Sequence, residues 1–214
     1  MNNTLDTIMI FLVLTNLALL GLSRLGTCIR IVAVQGVVLG LVPLLMNNWH
    51  FEIRLAAFSA VLIVLKGIVF PRLLTKAMRD IKTLREIEPF IGYSSSIALG
   101  TALLIICMWL SSHLPLPVET ISELTVPVAF FTIMSGLLLI ISRKKAITQV
   151  LGYLVMENGI YTFGVTLVEH QPVLVELGIL LDVFVAVFVM GITMFHINRE
   201  FDHIDTDQLS NLKV

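Results

Sequence analysis

Seven long apolar segments constrain this chain more than any other feature of its sequence. They cover residues 5–22, 28–47, 55–75, 91–111, 126–142, 147–167 and 173–195. A helix that crosses the hydrocarbon core of a bilayer needs about 20 apolar residues, and each segment is close to that length. The chain is 57% hydrophobic and 14% charged, whereas a soluble domain is about 25% charged. The sequence therefore predicts an all-α, polytopic membrane helix bundle of about seven transmembrane helices, without a large soluble domain.

Composition and motifs exclude several classes of function. The net charge of −1 provides no basic surface for nucleic acid. The two cysteines, Cys28 and Cys107, are far apart and form no CxxC motif, so we expect no metal centre or cluster in this chain. No serine, histidine and acid can be placed together by spacing, which predicts a non-catalytic chain. The first apolar segment has no basic residue before it and contains Asp6, which favours an uncleaved first span over a signal peptide.

The positions of lysine and arginine predict the orientation in the membrane. Twelve of the 14 basic residues lie in or beside the first, third and fifth loops or in the C-terminal tail. Cytoplasmic loops are enriched in these residues. We therefore expect the N-terminus outside and the C-terminus in the cytoplasm.

The segments suggest an organisation in five parts. Residues 1–75 form transmembrane helices 1–3, 76–90 a cytoplasmic amphipathic segment, 91–111 helix 4, 126–195 helices 5–7, and 196–214 an acidic cytoplasmic tail. In the amphipathic segment an apolar residue recurs at every third position from Met78 to Ile87. This spacing predicts a helix that continues the third span and stops before Pro89.

Two further patterns concern how the helices are arranged. Spans 1–3 and 5–7 have similar lengths and the same orientation, and aligning Glu52 with Glu176 also aligns Gly67 with Gly191. This predicts a parallel 3 + 1 + 3 repeat. Small residues four positions apart, at 36 and 40 in span 2 and at 92, 96 and 100 in span 4, allow close helix packing. For span 2, chance placement of small residues explains the spacing equally well.

Three ionisable residues are predicted near the bilayer midplane. Lys66, Glu157 and Asp182 lie roughly 13 to 16 Å from the ends of their spans at a rise of 1.5 Å per residue, in a core about 30 Å thick. Charges at this depth are costly and usually functional. Burial penalises the charged form of each of these groups, which favours exchange of a proton between them. Two carboxylates and a lysine at one depth therefore suit a lateral proton relay. The alternative is a structural ion pair that clamps helices 3, 6 and 7.

Two weaker candidates accompany these three residues. Gln35 lies inside span 2 and is either a member of the relay or part of an interhelical hydrogen bond. Glu176 lies near the outer surface, about one and a half turns from Asp182, where it could serve a proton path.

Specific sequence blocks carry a resemblance to a known family. Residues 142–167 read SRKKAITQVLGYLVMENGIYTFGVTL, and VLVELGILLDVFVAVFVMGI and a tail ending HIDTDQLSNLKV follow. These blocks resemble component E of hydrogenase-4, found in energy-converting [NiFe] hydrogenase and formate hydrogenlyase complexes. The QG element at Gln35 and IVLKGIVFP around Lys66 extend the resemblance to the first half.

Spans 5–7 are also similar to the K-type subunit of complex I and the C-type subunit of Mrp antiporters. That family places one acidic residue in each of its second and third helices, and Glu157 and Asp182 match these positions. The second is here the shorter aspartate.

The resemblance implies a non-redox membrane subunit between a hydrogenase arm and antiporter-like proton channels. Its expected partners are the hydrogenase large and small subunits, other antiporter-like and complex I-like membrane subunits, and lipid, in the cytoplasmic membrane of a bacterium or archaeon. The [NiFe] centre and iron–sulfur clusters are expected in those partners, and no cofactor in this chain. The alternatives are a structural spacer in the same complex, a subunit of an Mrp-type antiporter, and a self-sufficient transporter.

Overall fold

The computed structural model describes residues 2–46, 53–80, 90–114 and 122–167, and the regular elements in these ranges are all helices. They are α1 (Asn2–Gly21), α2 (Leu25–Met46), α3 (Ile53–Val64), a π-helical turn (Leu65–Val69), α4 (Phe70–Asp80), α5 (Tyr93–His113), α6 (Thr125–Ser142) and α7 (Ala146–Leu167). The predicted all-helical class is confirmed.

Each of the first six apolar segments corresponds to a helical part of the described structure. The third segment corresponds to α3, the π-turn and α4 together. Within the described ranges, four helices are long and apolar enough to cross a membrane, in the windows Thr4–Gly21, Leu25–Leu45, Tyr93–His113 and Thr125–Ser142. The seventh segment, 173–195, and the tail lie outside the described residues, so the count of seven and the repeat stay predictions. Helix α4 continues the third segment to Asp80, and 81–89 lie outside the description.

Helices α6 and α7 pack backbone against backbone because glycine stands at each close approach. A Cβ atom on Gly152 would lie 2.8 Å from the carbonyl oxygen of Gly136, and one on Gly159 would lie 2.6 Å from the backbone nitrogen of Ile133. Small residues permit such approach between helices in lipid. The contact holds α7 in a fixed position on α6.

Helix α5 packs on α1 through the small residues that the sequence singled out in span 4. Ser96 and Gly100 are buried on α5, and a Cβ atom on Gly100 would collide with the side chain of Leu20. A Cβ atom on Gly21 would lie 2.7 Å from Cδ1 of Ile97. Most other α5 side chains are exposed, so α5 lies at the periphery of the bundle.

Arg143 joins three helices at one end of the bundle. Its guanidinium donates a hydrogen bond of 2.6 Å to the carbonyl oxygen of Leu20 and lies 4.5 Å from the ring centroid of Tyr93. The residue is only 1% exposed. A cation at this position donates to a carbonyl oxygen in the last turn of α1, and the negative end of that helix dipole stabilises its charge. We call this end of the bundle the basic end.

The π-turn keeps one side of the third segment facing the bundle. The backbone N–H of Phe70 donates to the carbonyl oxygen of Leu65, five residues earlier, which is the π-helical pattern. Buried residues recur at Leu62, Lys66, Phe70 and Leu74, and a spacing of four drifts around a helix with 3.6 residues per turn. The wider turn opposes this drift and keeps Lys66 on the buried side.

Helix α2 approaches the π-turn closely at the glycines of span 2. A Cβ atom on Gly36 would lie 2.5 Å from Cβ of Lys66 and 3.3 Å from its Cδ. A Cβ atom on Gly40 would lie 2.7 Å from Cγ1 of Ile63. The spacing in span 2 therefore corresponds to a packing contact, which covers the aliphatic part of the lysine.

We predict that Gly36→Ala destabilises the bundle, because the new methyl group forces α2 and the π-turn apart. Overpacking of this kind costs about 1–3 kcal/mol in the free energy of unfolding. Gly26→Ala is the matched control on the same helix, since its Cβ atom would meet nothing within 4 Å. Unfolding of the purified chain in SDS, followed by circular dichroism, measures both variants. Equal stability of the two variants would contradict the packing role.

Candidate functional site

Lys66 and Glu157 form a buried ion pair inside the bundle. Nζ of Lys66 lies 2.7 Å from Oε1 of Glu157, and the two side chains are 7% and 3% exposed. The ammonium also donates a hydrogen bond of 3.1 Å to Oδ1 of Asn158, and it lies 5.6 Å from the ring centroid of Tyr161. The structure thus brings into contact two residues that the sequence placed at one depth.

Local structure determines how these two charges meet. Lys66 extends from the π-turn, and its stem passes α2 at Gly36. Glu157 and Asn158 are neighbours on α7, which the glycine contacts hold on α6. The pair therefore bridges α7 and the third apolar segment.

Gln35 belongs to a second group of polar side chains that links α1, α2 and α6. Its Nε2 donates to Oγ1 of Thr15 at 2.7 Å and to Oδ1 of Asn16 at 2.9 Å. Nδ2 of Asn16 in turn donates to Oγ1 of Thr132 at 2.9 Å. Gln35 is therefore an interhelical hydrogen-bonding residue, and its membership of a proton relay stays a prediction.

Sequence reasoning missed Asn16 and Thr132. Neutral polar residues inside apolar segments carry a weak signal, because their burial needs only a hydrogen bond. Asn16 is nevertheless the one amide side chain within segment 5–22, and that position could have identified it. The distribution of lysine and arginine among the loops also failed to predict the burial of Arg143, because it gives no information about how deeply a side chain is buried.

The two polar groups adjoin each other at α2. Gln35 bonds to α1, and the next residue, Gly36, packs on Lys66. We call the whole set the polar band; its members are Asn16, Gln35, Lys66, Thr132, Glu157 and Asn158. It extends laterally through four helices and the π-turn.

Several buried atoms of the polar band and its surroundings have no protein hydrogen-bond partner within the described residues. They include Oε1 of Gln35, Oε2 of Glu157, Nδ2 of Asn158, Oγ of Ser135 and the hydroxyl of Tyr161. An unpaired polar atom in an apolar interior costs about 1–3 kcal/mol. These atoms therefore favour water as a partner, and Oε2 of Glu157 is also able to take up a proton.

A small cavity adjoins the ion pair on the side of Lys66 and Asn158. Its volume is about 10 Å³, and Val32, Phe70 and Leu154 form part of its apolar wall. A space of this size is close to the minimum of about 10–15 Å³ that one water molecule needs. The cavity therefore suits at most one small molecule in this conformation.

Asp182 and Glu176 lie outside the described residues, so their roles stay predictions. Among the residues that the structure does describe, no group of three histidine, cysteine or acidic side chains could hold a metal ion. In the described part, Glu157 is a buried acidic group with one oxygen on Lys66 and a second oxygen without a hydrogen-bond partner.

Comparisons with known proteins agree with the resemblance seen in the sequence. Residues 124–214 match the family described as NADH-ubiquinone/plastoquinone oxidoreductase chain 4L. An uncharacterized protein of Mycobacterium tuberculosis is 29% identical over 203 residues, which are 94% of this chain and 92% of the relative. Hydrogenase-4 component E of Escherichia coli K12 and of Shigella flexneri are each 29% identical over 160 residues, or 75% of this chain and 74% of the relative. No solved structure matches the chain.

These matches confirm the similarity to hydrogenase-4 component E and to a complex I-type membrane subunit. Glu157 lies within the matched range 124–214, whereas Lys66 and Gln35 precede it. The ion pair thus joins the part that matches the chain 4L family to the part outside that match.

We predict energetic coupling between Lys66 and Glu157. Removing one partner of a buried ion pair leaves the other charge uncompensated, at a cost of about 3–5 kcal/mol. Lys66→Met and Glu157→Gln should each lower the free energy of unfolding. The double variant should lose at least about 1 kcal/mol less than the sum of the two losses.

Unfolding of the four proteins in SDS measures this coupling. The exposed residues Lys76 and Glu123 supply a matched control cycle, with Lys76→Met and Glu123→Gln, for which we expect additive effects. Additive losses at Lys66 and Glu157 would contradict a paired role.

Proposed function

We propose that this chain is a non-redox membrane subunit of an energy-converting hydrogenase complex of the hydrogenase-4 or formate hydrogenlyase type. We further propose that its polar band forms part of a lateral proton path between the redox arm and antiporter-like subunits. The buried Lys66–Glu157 pair, 2.7 Å apart, is the observation that carries the proposal. The similarity to hydrogenase-4 component E supplies the context.

Proton transfer to Glu157 changes the charge of the pair. The paired form is neutral as a whole, with an ammonium beside a carboxylate. A proton that arrives at the unpaired Oε2 of Glu157 neutralises the carboxylate and leaves the ammonium of Lys66 without its countercharge. That state is costly in a medium of low dielectric constant, so the excess proton is driven onward to the next acceptor.

Neighbouring residues define where the proton can go. Asn158 accepts a hydrogen bond from Lys66 and holds the ammonium in place while Glu157 changes charge. Asp182 is the proposed next carboxylate, and Glu176 connects it to the outer surface. On the opposite side, Gln35 and Asn16 form a separate hydrogen-bonded group that extends the polar band towards α1 and α6.

The proposed complex supplies the chemistry that this chain does not perform. The [NiFe] centre and iron–sulfur clusters belong to the proposed hydrogenase large and small subunits, and antiporter-like subunits receive the displaced charge. In this arrangement the chain lies in a cytoplasmic membrane with its C-terminus, and hence the basic end of the bundle, in the cytoplasm.

A structural role is the second candidate, and the geometry of the pair favours it directly. The Lys66 ammonium bridges two helical elements, as a clamp would, and Arg143 does the same at the basic end. A spacer function predicts that loss of the pair breaks assembly of the complex. A proton path predicts that assembly survives and that pumping fails.

Glu157→Gln tests the two roles. In the native host, we expect a reduced amount of complex to assemble, because the ion pair is lost. We expect each assembled complex to lose most of its hydrogenase-linked proton pumping, because the amide cannot carry the proton. Pumping in inverted membrane vesicles, normalised to the purified complex, measures the effect. Glu123→Gln is the matched control, since this carboxylate is exposed at the start of α6.

Either of two results would contradict the proton path. One is an assembled Glu157→Gln complex that pumps as well as the wild type. The other is failure to assemble in both Glu157→Gln and Glu157→Asp, which would favour the clamp.

Purification of the tagged chain in mild detergent tests the proposed partners. We expect mass spectrometry to identify a nickel-containing large subunit, iron–sulfur proteins and antiporter-like subunits in the eluate. Antiporter-like partners without a hydrogenase arm would favour the Mrp-type alternative. Recovery of the chain alone would contradict membership of either complex and favour a self-sufficient transporter.

A further inference from the structure

A groove runs along α4 on the surface of the bundle, away from the polar band. Its volume is about 630 Å³, and its described lining begins at Gly67 and Ile68 and continues along Arg72, Lys76 and Arg79. A volume between about 300 and 1,000 Å³ is typical of sites for small molecules. The groove is therefore large enough for part of a lipid molecule.

Among the residues that the structure describes, no acidic side chain pairs with the three basic side chains in the groove. Arg72, Lys76 and Arg79 are exposed, and no described carboxylate pairs with any of them, since the ion pair found in the described ranges is that of Lys66 and Glu157. They recur four and three residues apart, so they lie on one face of α4. The opposite face, with Phe70, Leu74 and Ala77, is buried. The groove thus presents a concentrated positive charge.

The groove extends from apolar depth to the expected membrane surface. Along the helix, Arg72, Lys76 and Arg79 lie roughly 9, 15 and 20 Å from Lys66 at 1.5 Å per residue. Half of the hydrocarbon core is about 15 Å thick, so a Lys66 near the midplane places Lys76 and Arg79 at or just beyond the edge of the core. Arg72 lies about 6 Å inside that edge, a depth from which a long basic side chain reaches the interface. Ile68, which is 40% exposed, faces the groove at the depth of the acyl chains.

From this arrangement we infer that the groove binds an anionic phospholipid. The phosphate of the headgroup lies among Arg72, Lys76 and Arg79, and an acyl chain lies against Gly67 and Ile68. The two ends of the groove match the two parts of such a lipid, and three exposed basic side chains on one face favour an anionic headgroup over a zwitterionic one. This inference does not depend on a proton path.

Native mass spectrometry of the full chain tests the inference. The purified protein is titrated with phosphatidylglycerol and with phosphatidylcholine that carry the same acyl chains. We expect selective binding of phosphatidylglycerol that becomes on the order of tenfold weaker in the double variant Arg72→Gln/Lys76→Gln, because each basic residue near an anionic surface contributes substantially to binding.

Two control variants make the result specific. Arg24→Gln/Arg30→Gln removes the same charge from exposed positions outside the groove and should bind phosphatidylglycerol like the wild type. Arg72→Lys/Arg79→Lys keeps the charge and should retain selectivity.

Three results would overturn the inference. They are equal binding of the two lipids, equal loss in the two charge-removing double variants, and binding that appears only after removal of residues 200–214. The last result would identify the acidic C-terminal tail as the occupant of the groove.

Discussion

The cost of placing charge inside an apolar bundle is the constraint on which the rest of this structure depends. Each ion that leaves water carries a penalty of several kcal/mol, which only close contact and additional hydrogen bonds can offset. The contact of 2.7 Å between Lys66 and Glu157 meets this requirement, with Asn158 as a further partner. The π-turn directs the lysine inward and the glycine contacts between α6 and α7 hold the carboxylate. The helical framework can therefore be understood as the support for one ion pair.

Sequence reasoning could predict the depth of this pair but not its contact. The lengths of the apolar segments give the helices, and counting residues from their ends places Lys66 and Glu157 at one level. Which side of a helix faces its neighbour depends on the π-turn, and a shift of one backbone hydrogen bond leaves no clear mark in the order of residues. The contact at Gly36, which sets the distance between α2 and this turn, was equally compatible with chance.

The polar residues that sequence reasoning missed are buried by partners that lie far away in the sequence. Asn16 and Thr132 are neutral, and their burial is satisfied by one or two hydrogen bonds. Arg143 is charged, but its position beside a loop suggested exposure to water. Its burial depends on the carbonyl of Leu20 and the ring of Tyr93, which are far away in sequence. Long-range partners of this kind decide burial, and local patterns do not contain them.

The close approach at Gly36 has a consequence for how related sequences diverge. The atom nearest to its missing Cβ is Cβ of Lys66, an atom that every residue other than glycine possesses. Replacement of the lysine by any shorter side chain therefore leaves the demand for glycine at position 36 unchanged. Among related sequences, glycine at position 36 is required by the short distance between two helical elements, whereas lysine at position 66 is required only by the ion pair. The lysine can thus be lost without the glycine, and a relative that keeps only the glycine has kept the architecture and given up the charge.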